Sequence, residues 1–315
     1  MEKRRKFLKD SVFGGIVLSG LMFSPLGGTA IAQSPLKNII STPNILSGNE
    51  QLCLVRNLPT LEFIKDIDLT TGTTSANYKP IFGEGDKDEA HLNGISRIGE
   101  LTVAAGGSSS IVRRANEEYV LYVTQGEGSL IYNDRKVPLK ANDFLYVPAG
   151  VSHGVVNMGS DTIKVLFIGY KLGDKGGYKP KDGLQIANAD EVELQVLGKR
   201  PTTQYKLLMG DTTSTRDRLA AAYLMKSLFI MDFAPRGTNN PHRHKTQEEV
   251  YFVLKGSGYM IAGVDEYGNK ERHPCQEGDA FYWAAGTEVG FYSLNKEGEE
   301  HSIILAVRSD DPTKI

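Results

Sequence analysis

The sequence predicts an all-β chain in which one barrel or sandwich unit occurs twice. Three observations carry this. Short apolar runs alternate with turn residues at close spacing: ELTVAA, YVLYVTQGEG, SLIYND, KVPLKANDFLYVPAG and IKVLFIGY in the first half, then LFIMDFAPRG, EVYFVLKGSG, YMIAGVDEYGNK, CQEGDAFYWAAG and HSIILAVRS in the second. Glycine and the β-favouring residues Val, Ile and Tyr run through these segments, with 34 Gly and 14 Tyr in all. The halves also align with each other. Val123–Tyr132 (VTQGEGSLIY) matches Val253–Ala262 (VLKGSGYMIA), and Ala141–Gly150 (ANDFLYVPAG) matches Glu277–Gly286 (EGDAFYWAAG). The offset is 130 from Gly126 to Gly256 and 136 from Gly150 to Gly286, and the six extra residues fall in GVDEYGNKERHP, a longer hairpin in the second copy. A drift confined to a loop marks an internal duplication.

The N-terminus reads as a targeting segment. MEKRRKFLKD is basic, SVFGGIVLSGLMF is apolar but too short to span a bilayer, and Thr29–Ala32 (TAIA) ends in an Ala-x-Ala cleavage pattern. Arg4–Arg5, followed by Lys6, Phe7, Leu8 and Lys9, resembles a twin-arginine export signal, with residues 1–32 cleavable. The resemblance implies a periplasmic or secreted protein exported already folded. An ordinary secretion signal or a membrane anchor is the alternative. Its removal takes away Lys3, Arg4, Arg5, Lys6 and Lys9 against Glu2 and Asp10, which leaves a mildly acidic chain. A formal net charge of -2 for the whole sequence gives no basis for nucleic-acid binding. No other apolar run is long enough to cross a membrane once the signal is gone. Cys53 and Cys275 stand far apart, and with no CxxC a thiolate zinc site is not expected.

Residues 33–88 read as an N-terminal arm, with Pro35, Pro43 and Pro59 and the polar run Gly83–Glu89. The first unit spans 89–172, a linker 173–222, and the second unit 223–315. Within the linker, ADEVELQVL fits a strand or a short helix.

The second unit carries the chemistry. In PHRHKTQEEVYFVLKGSG (241–258), His242 and His244 are two apart, so a strand presents both imidazoles on one face. Glu249 follows the turn Lys245–Glu248 and opens the next strand beside them, with Tyr251 and Val253 on the same face and Glu248 aimed away. Two neutral imidazoles and a carboxylate suit Fe, Mn, Ni, Cu or Zn. The bland alternative is a solvated polar loop.

With Gly237 before and Gly256 after, this pattern resembles the first motif of the cupin superfamily, with one residue fewer than usual between Gly237 and His242. The resemblance covers roughly residues 90 to 310. It implies two tandem cupin double-stranded β-helix (jelly-roll) barrels, a bicupin. It also implies a ligand pocket inside each barrel, a divalent transition metal (Fe or Mn first, then Cu, Ni or Zn) and a homodimer. The second motif departs from the family. Where the family carries a histidine, GDAFYWAAGTEVGF has Val289, which cannot bind metal. Three protein ligands and open positions then remain, or His273 or His301 reaches in from the rim, or the site is weakened.

The first unit has the opposite defect. NDFLYVPAGVSHGVVN fits the second motif through Pro148, Gly150, His153 and Asn157, with Asn142 where Gly is usual. By register from Gly126, Val112, Arg114 and Tyr119 fall on the two His positions and the Glu position. Glu118 is one place off and needs a bulge to serve. His153 reads as a hydrogen-bonded pocket residue and Arg113–Arg114 as a solvated pair or a carboxylate holder. The first barrel is then scaffold, dimerisation surface or vestigial pocket.

Tyr251, Tyr282, Trp283 and Tyr292, together with His153, are the candidate substrate-pocket residues. Alternation along AFYWAAG admits either Phe281 and Trp283 or Tyr282 inward, not all three. The first expectation for function is a dioxygenase-type oxidoreductase acting on a small organic molecule, with Glu249 both ligand and proton shuttle. The resemblance extends to bicupin aromatic dioxygenases and oxalate decarboxylases, and the missing histidine counts against close kinship with either. A non-redox isomerase, lyase or hydrolase, and a non-enzymatic ligand-binding module, are the alternatives.

Overall fold

The large strands read as continuous apolar runs because both of their faces are buried. Tyr119, Leu121 and Val123 point into the interior of the first barrel, while Val120 and Tyr122 join a cluster between the barrels. In the second barrel Tyr251 and Val253 point inward, and Val250 and Phe252 pack between the barrels. Sheets covered on both sides lose the polar alternation of a half-exposed strand. Three cores follow, one inside each barrel and one between them.

The structure is a computed structural model that describes residues 44–46, 51–65, 67–173, 179, 181, 183–198, 201–264 and 268–314. The export segment at 1–32 lies outside them. Residues Ser41–Ile315 form one compact unit. The first barrel pairs a six-stranded sheet, in the order Gln185–Asn188, Asp143–Val147, Glu117–Gln125, Ile163–Lys171, Ile95–Val103 and Ala76–Gly83, with a three-stranded one. The second pairs an eight-stranded sheet with a four-stranded one made of Thr238–Arg243, Glu288–Ser293, Ser257–Val264 and Lys270–Gln276. The all-β, twice-repeated architecture is thus present. Gly126 and Gly256 hold equivalent turns at φ +79° and +82°, and a Cβ there would meet Thr162 O at 2.4 Å and Ser302 Oγ at 2.6 Å.

Two segments read as arm and linker belong to the sheets. Gln51–Asn57 pairs with Asp279–Trp283 of the second barrel, and Gln185–Asn188 pairs with Asp143–Val147 of the first. Each repeat therefore lends its leading strand to the other barrel. The details match: Asn57 Nδ2 donates to Asp279 Oδ1 at 2.7 Å and Asn188 Nδ2 to Asp143 Oδ1 at 2.8 Å. A 3-10 turn follows each strand, Leu58–Thr60 and Ala189–Glu191, and its carbonyl accepts from Lys79 Nζ at 3.0 Å or Lys206 Nζ at 2.8 Å. ADEVELQVL is accordingly this turn plus one bridging residue, Gln195 opposite Tyr205. Ala76–Gly83 and Thr203–Asp211 are sheet strands of the first and second barrel.

Glu118 forms no bulge toward the interior of its barrel. It is buried between the barrels, where it accepts from Tyr146 Oη (2.7 Å) and from the backbone N–H groups of Tyr223 (3.0 Å), Leu224 (2.7 Å) and Met225 (3.3 Å). Glu248 likewise accepts from Tyr282 Oη (2.6 Å) and from Asn93 (2.9 Å), Gly94 (3.0 Å) and Ile95 (3.2 Å). Each carboxylate ties its own barrel to the start of a strand in the other.

Cys53 and Cys275 are buried and unbonded to each other, and burial pushes the Cys275 thiol up to about 12. Among the described residues no helix is long and apolar enough to cross a membrane.

Candidate metal centre

His242 lies near the end of the strand Thr238–Arg243, His244 just beyond it, and Glu249 in the strand Gln247–Lys255. The two imidazoles face each other with Nε2 atoms 3.1 Å apart. His242 Nδ1 sits 2.8 Å from the carbonyl of Asn240, an acceptor only, so Nδ1 carries the proton and Nε2 presents its lone pair to the centre. The backbone of His244 is fixed where its carbonyl accepts from Gly286 N at 2.8 Å, in the turn that follows Trp283. Glu249 is 2% exposed, and its Oε2 lies 3.3 Å from His244 Nε2 without the alignment of a hydrogen bond. One ligand atom from each of the three residues falls within 4.8 Å of the others.

These residues fit a transition-metal ion. Nitrogens bound at ~2.1 Å and at right angles stand ~3 Å apart, close to the spacing of the two Nε2 atoms. A buried carboxylate oxygen with no hydrogen-bond partner needs a positive neighbour. Two imidazoles and one carboxylate are the donor set of an open facial site.

Val289 faces His242 directly across the strand pair and is 1% exposed, so the fourth-ligand position is an apolar wall. Neither rim histidine joins the cluster: His273 lies near Glu271 at 3.6 Å without a hydrogen bond, and the half-exposed His301 bonds Asp232. In the first barrel the same pair of positions is reversed, with Val112 bridging His153. His153 is buried against Tyr119 and Phe167, at centroid distances of 5.0 and 6.2 Å. Its Nδ1 is 2.9 Å from the carbonyl of Val151, and its Nε2 has no partner. It therefore belongs to the interior of the first barrel, away from the pocket of the second.

The remaining pocket candidates separate by face. Tyr251 lines the cavity, and its Oη accepts from Asn239 Nδ2 at 3.0 Å. Burial and the adjacent Glu249 charge push its phenol well above the usual range. Phe281 and Trp283 point inward, and Trp283 donates Nε1–H to Ile261 O at 3.1 Å while packing edge-on behind Tyr251. Trp283 is thus core and not cavity wall. Tyr282 points the other way, into the inter-barrel cluster against Glu248. Tyr292 is on the outer face, with the Arg272 guanidinium 5.1 Å over its ring.

The sequence reading missed Arg308. Its Nη1 lies 3.3 Å from His244 Nε2, its guanidinium sits 5.8 Å over Phe229, and its Nε is buried without a partner. The signal was a lone arginine closing the apolar run IILAV. A cavity of about 180 Å³ opens beside it. Its lining mixes polar side chains, His242, Glu249, Asn239, Arg216 and Arg308, with the apolar Leu197, Leu207, Phe229 and Met231.

At the corresponding end of the first barrel the charges are closed off. Arg97 pairs with Glu84 and, at 2.8 Å, with Asp68; Arg114, far from a free solvated residue, donates from Nε to Asp68 Oδ2 at 2.8 Å and reaches Glu84 at 3.2 Å. Burial alone would raise the Asp68 carboxyl, but the two guanidinium groups overturn this and hold it below its ordinary value. Arg113 instead bonds the Gly150 carbonyl at 2.7 Å.

Known proteins share this organisation. Residues 99–169 match the family described as cupin domain, and residues 196–315 the family described as cupin. An oxalate-binding protein of Thermotoga maritima is 27% identical over 93 residues, which are 27% of this chain and 77% of that protein. Among solved structures, the protein Ylba from E. coli superposes with a TM-score of 0.59 at 18% identity, covering 81% of this chain and 90% of that one. An oxalate decarboxylase from Lactobacillus farciminis, in a formate complex, superposes with a TM-score of 0.60 at 9% identity, covering 82% and 86%. Two matched cupin domains on a doubled all-β fold make this chain a bicupin of the cupin superfamily.

Proposed function

We propose that the second barrel holds one divalent transition metal on His242, His244 and Glu249 and acts as a dioxygenase-type oxidoreductase on a small organic substrate. The observation that carries this is the convergence of two imidazole Nε2 atoms, 3.1 Å apart, on a buried carboxylate oxygen that has no hydrogen-bond partner. An ion bound there supplies Lewis acidity and, if it is iron or manganese, one-electron redox chemistry. Val289 keeps a fourth protein ligand out and leaves room for substrate. Tyr251, held by Asn239, stays protonated and forms a fixed wall. Arg308 sets a positive charge beside the ligands, suited to an anionic substrate. Glu249 can also take and return a proton through the carboxylate oxygen that an ion does not use. The named activity of the Thermotoga relative, oxalate binding, favours a small acid as the ligand class.

We further propose export to the periplasm through the Arg4–Arg5 signal and assembly as a homodimer, with the first barrel as scaffold. Cell fractionation with and without Arg4→Lys/Arg5→Lys tests the route. Elemental analysis of the purified mature protein tests the chemistry. Iron or manganese at one per chain, with oxygen uptake on a small acid, is the expected result. Zinc or nickel without oxygen use points to a non-redox reaction, and a metal-free protein sinks both enzyme readings.

A further inference from the structure

The cavity lining joins a guanidinium to apolar side chains, and Phe229 lies directly under Arg308; we infer that it takes an organic acid with an apolar body: the carboxylate on Arg308, the body against Leu207, Phe229 and Met231. The inference rests on the metal-site proposal for the reacting end, which lies at His242, His244 and Glu249. The first barrel shows how the carboxylate would sit. Arg97 faces Gly169 across a strand pair, and at the same place in the second barrel Ser227 faces Arg308. The arginine has changed strands, yet each barrel keeps one guanidinium at that level. In the first barrel the chain supplies its own carboxylates, and Asp68 lies 2.8 Å from Arg97. In the second, among the described residues no carboxylate forms an ion pair with Arg308, whose Nη1 faces only His244 at 3.3 Å. The other arginine lining the cavity, Arg216, is already beside Asp217 at 3.6 Å. An incoming carboxylate would do for Arg308 what Asp68 does for Arg97.

The apolar part of the lining selects against a bare dicarboxylate. Leu207, Phe229 and Met231 are 2%, 8% and 0% exposed, and Leu197 stands at the mouth, 38% exposed. Oxalate has no apolar surface to cover them, whereas a phenyl or branched alkyl group does.

Isothermal titration of the mature protein, metal-free and with one equivalent of Zn²⁺, against acetate, oxalate and phenylacetate tests this. Phenylacetate is expected to bind at least tenfold tighter than either of the other two. Arg308→Gln should weaken it at least tenfold, and Leu197→Ser, at the exposed mouth, should narrow its advantage over acetate. Oxalate binding as tightly as phenylacetate would overturn the inference, as would an Arg308→Gln variant of native circular dichroism and unchanged affinity. Failure to take up zinc would instead sink the metal-site proposal. The acid series remains readable on the metal-free protein, because Arg308 and the apolar wall need no ion.

Discussion

Val289 lies directly across the strand pair from His242, with its side chain buried in the interior of the second barrel. A histidine there would join the three residues already converging. Val289→His is therefore expected to tighten Zn²⁺ or Mn²⁺ binding by at least tenfold, read by competition with a chelator. An unchanged affinity would mean that the ion, if bound, sits away from this strand.

Loss of either imidazole should abolish the site. His242→Ala and His244→Ala are each expected to lose stoichiometric metal by elemental analysis, while His153→Ala keeps it. Metal loss in the His153 variant would move the chemistry to the first barrel.

Glu118 and Glu248 offer a matched pair. Each accepts from one tyrosine of its own barrel and from three backbone N–H groups of the opposite one. Gln in either place keeps one acceptor oxygen and turns an amide donor toward N–H groups, at a cost of about 1–3 kcal/mol in denaturant unfolding. Only Glu248 adjoins Glu249, a proposed ligand. Glu248→Gln should therefore also weaken metal binding, and Glu118→Gln should not.

His153 makes stability depend on pH. Burial lowers its pKa below the usual 6.5, against a smaller opposing pull from the Val151 carbonyl. Between 6.5 and the lowered value the unfolded chain binds the extra proton, so stability falls as pH falls through that window and levels off below it. In His153→Gln, which does not titrate, the thermal midpoint should fall less between pH 7 and 5 than in wild type. Parallel curves would count against a neutral, buried His153.

The doubled barrel was legible because Gly126/Gly256 and Gly150/Gly286 mark the same turns, and local turn chemistry survives in sequence. The triad was legible because His242, His244 and Glu249 lie within eight positions, where strand geometry alone brings them together. Arg308 was not, since its approach to His244 depends on which strands neighbour each other, a relation across 64 residues. Tyr282 and Glu248 were hidden for a different reason. Strands buried on both faces give no polar alternation to say which face is the interior, so an aromatic of the inter-barrel core looks like a pocket residue.

The crossing of the leading strands bears on the order of events during synthesis. Gln51–Asn57 leaves the ribosome early, yet its hydrogen-bonding partner Asp279–Trp283 comes more than two hundred residues later. The N-terminal half can close most of its own barrel during translation, but the strand it owes to the other half must wait. The sheet of the second barrel thus cannot be complete before Asp279–Trp283 has been made. Neither half of the chain alone can therefore supply every strand of its own large sheet.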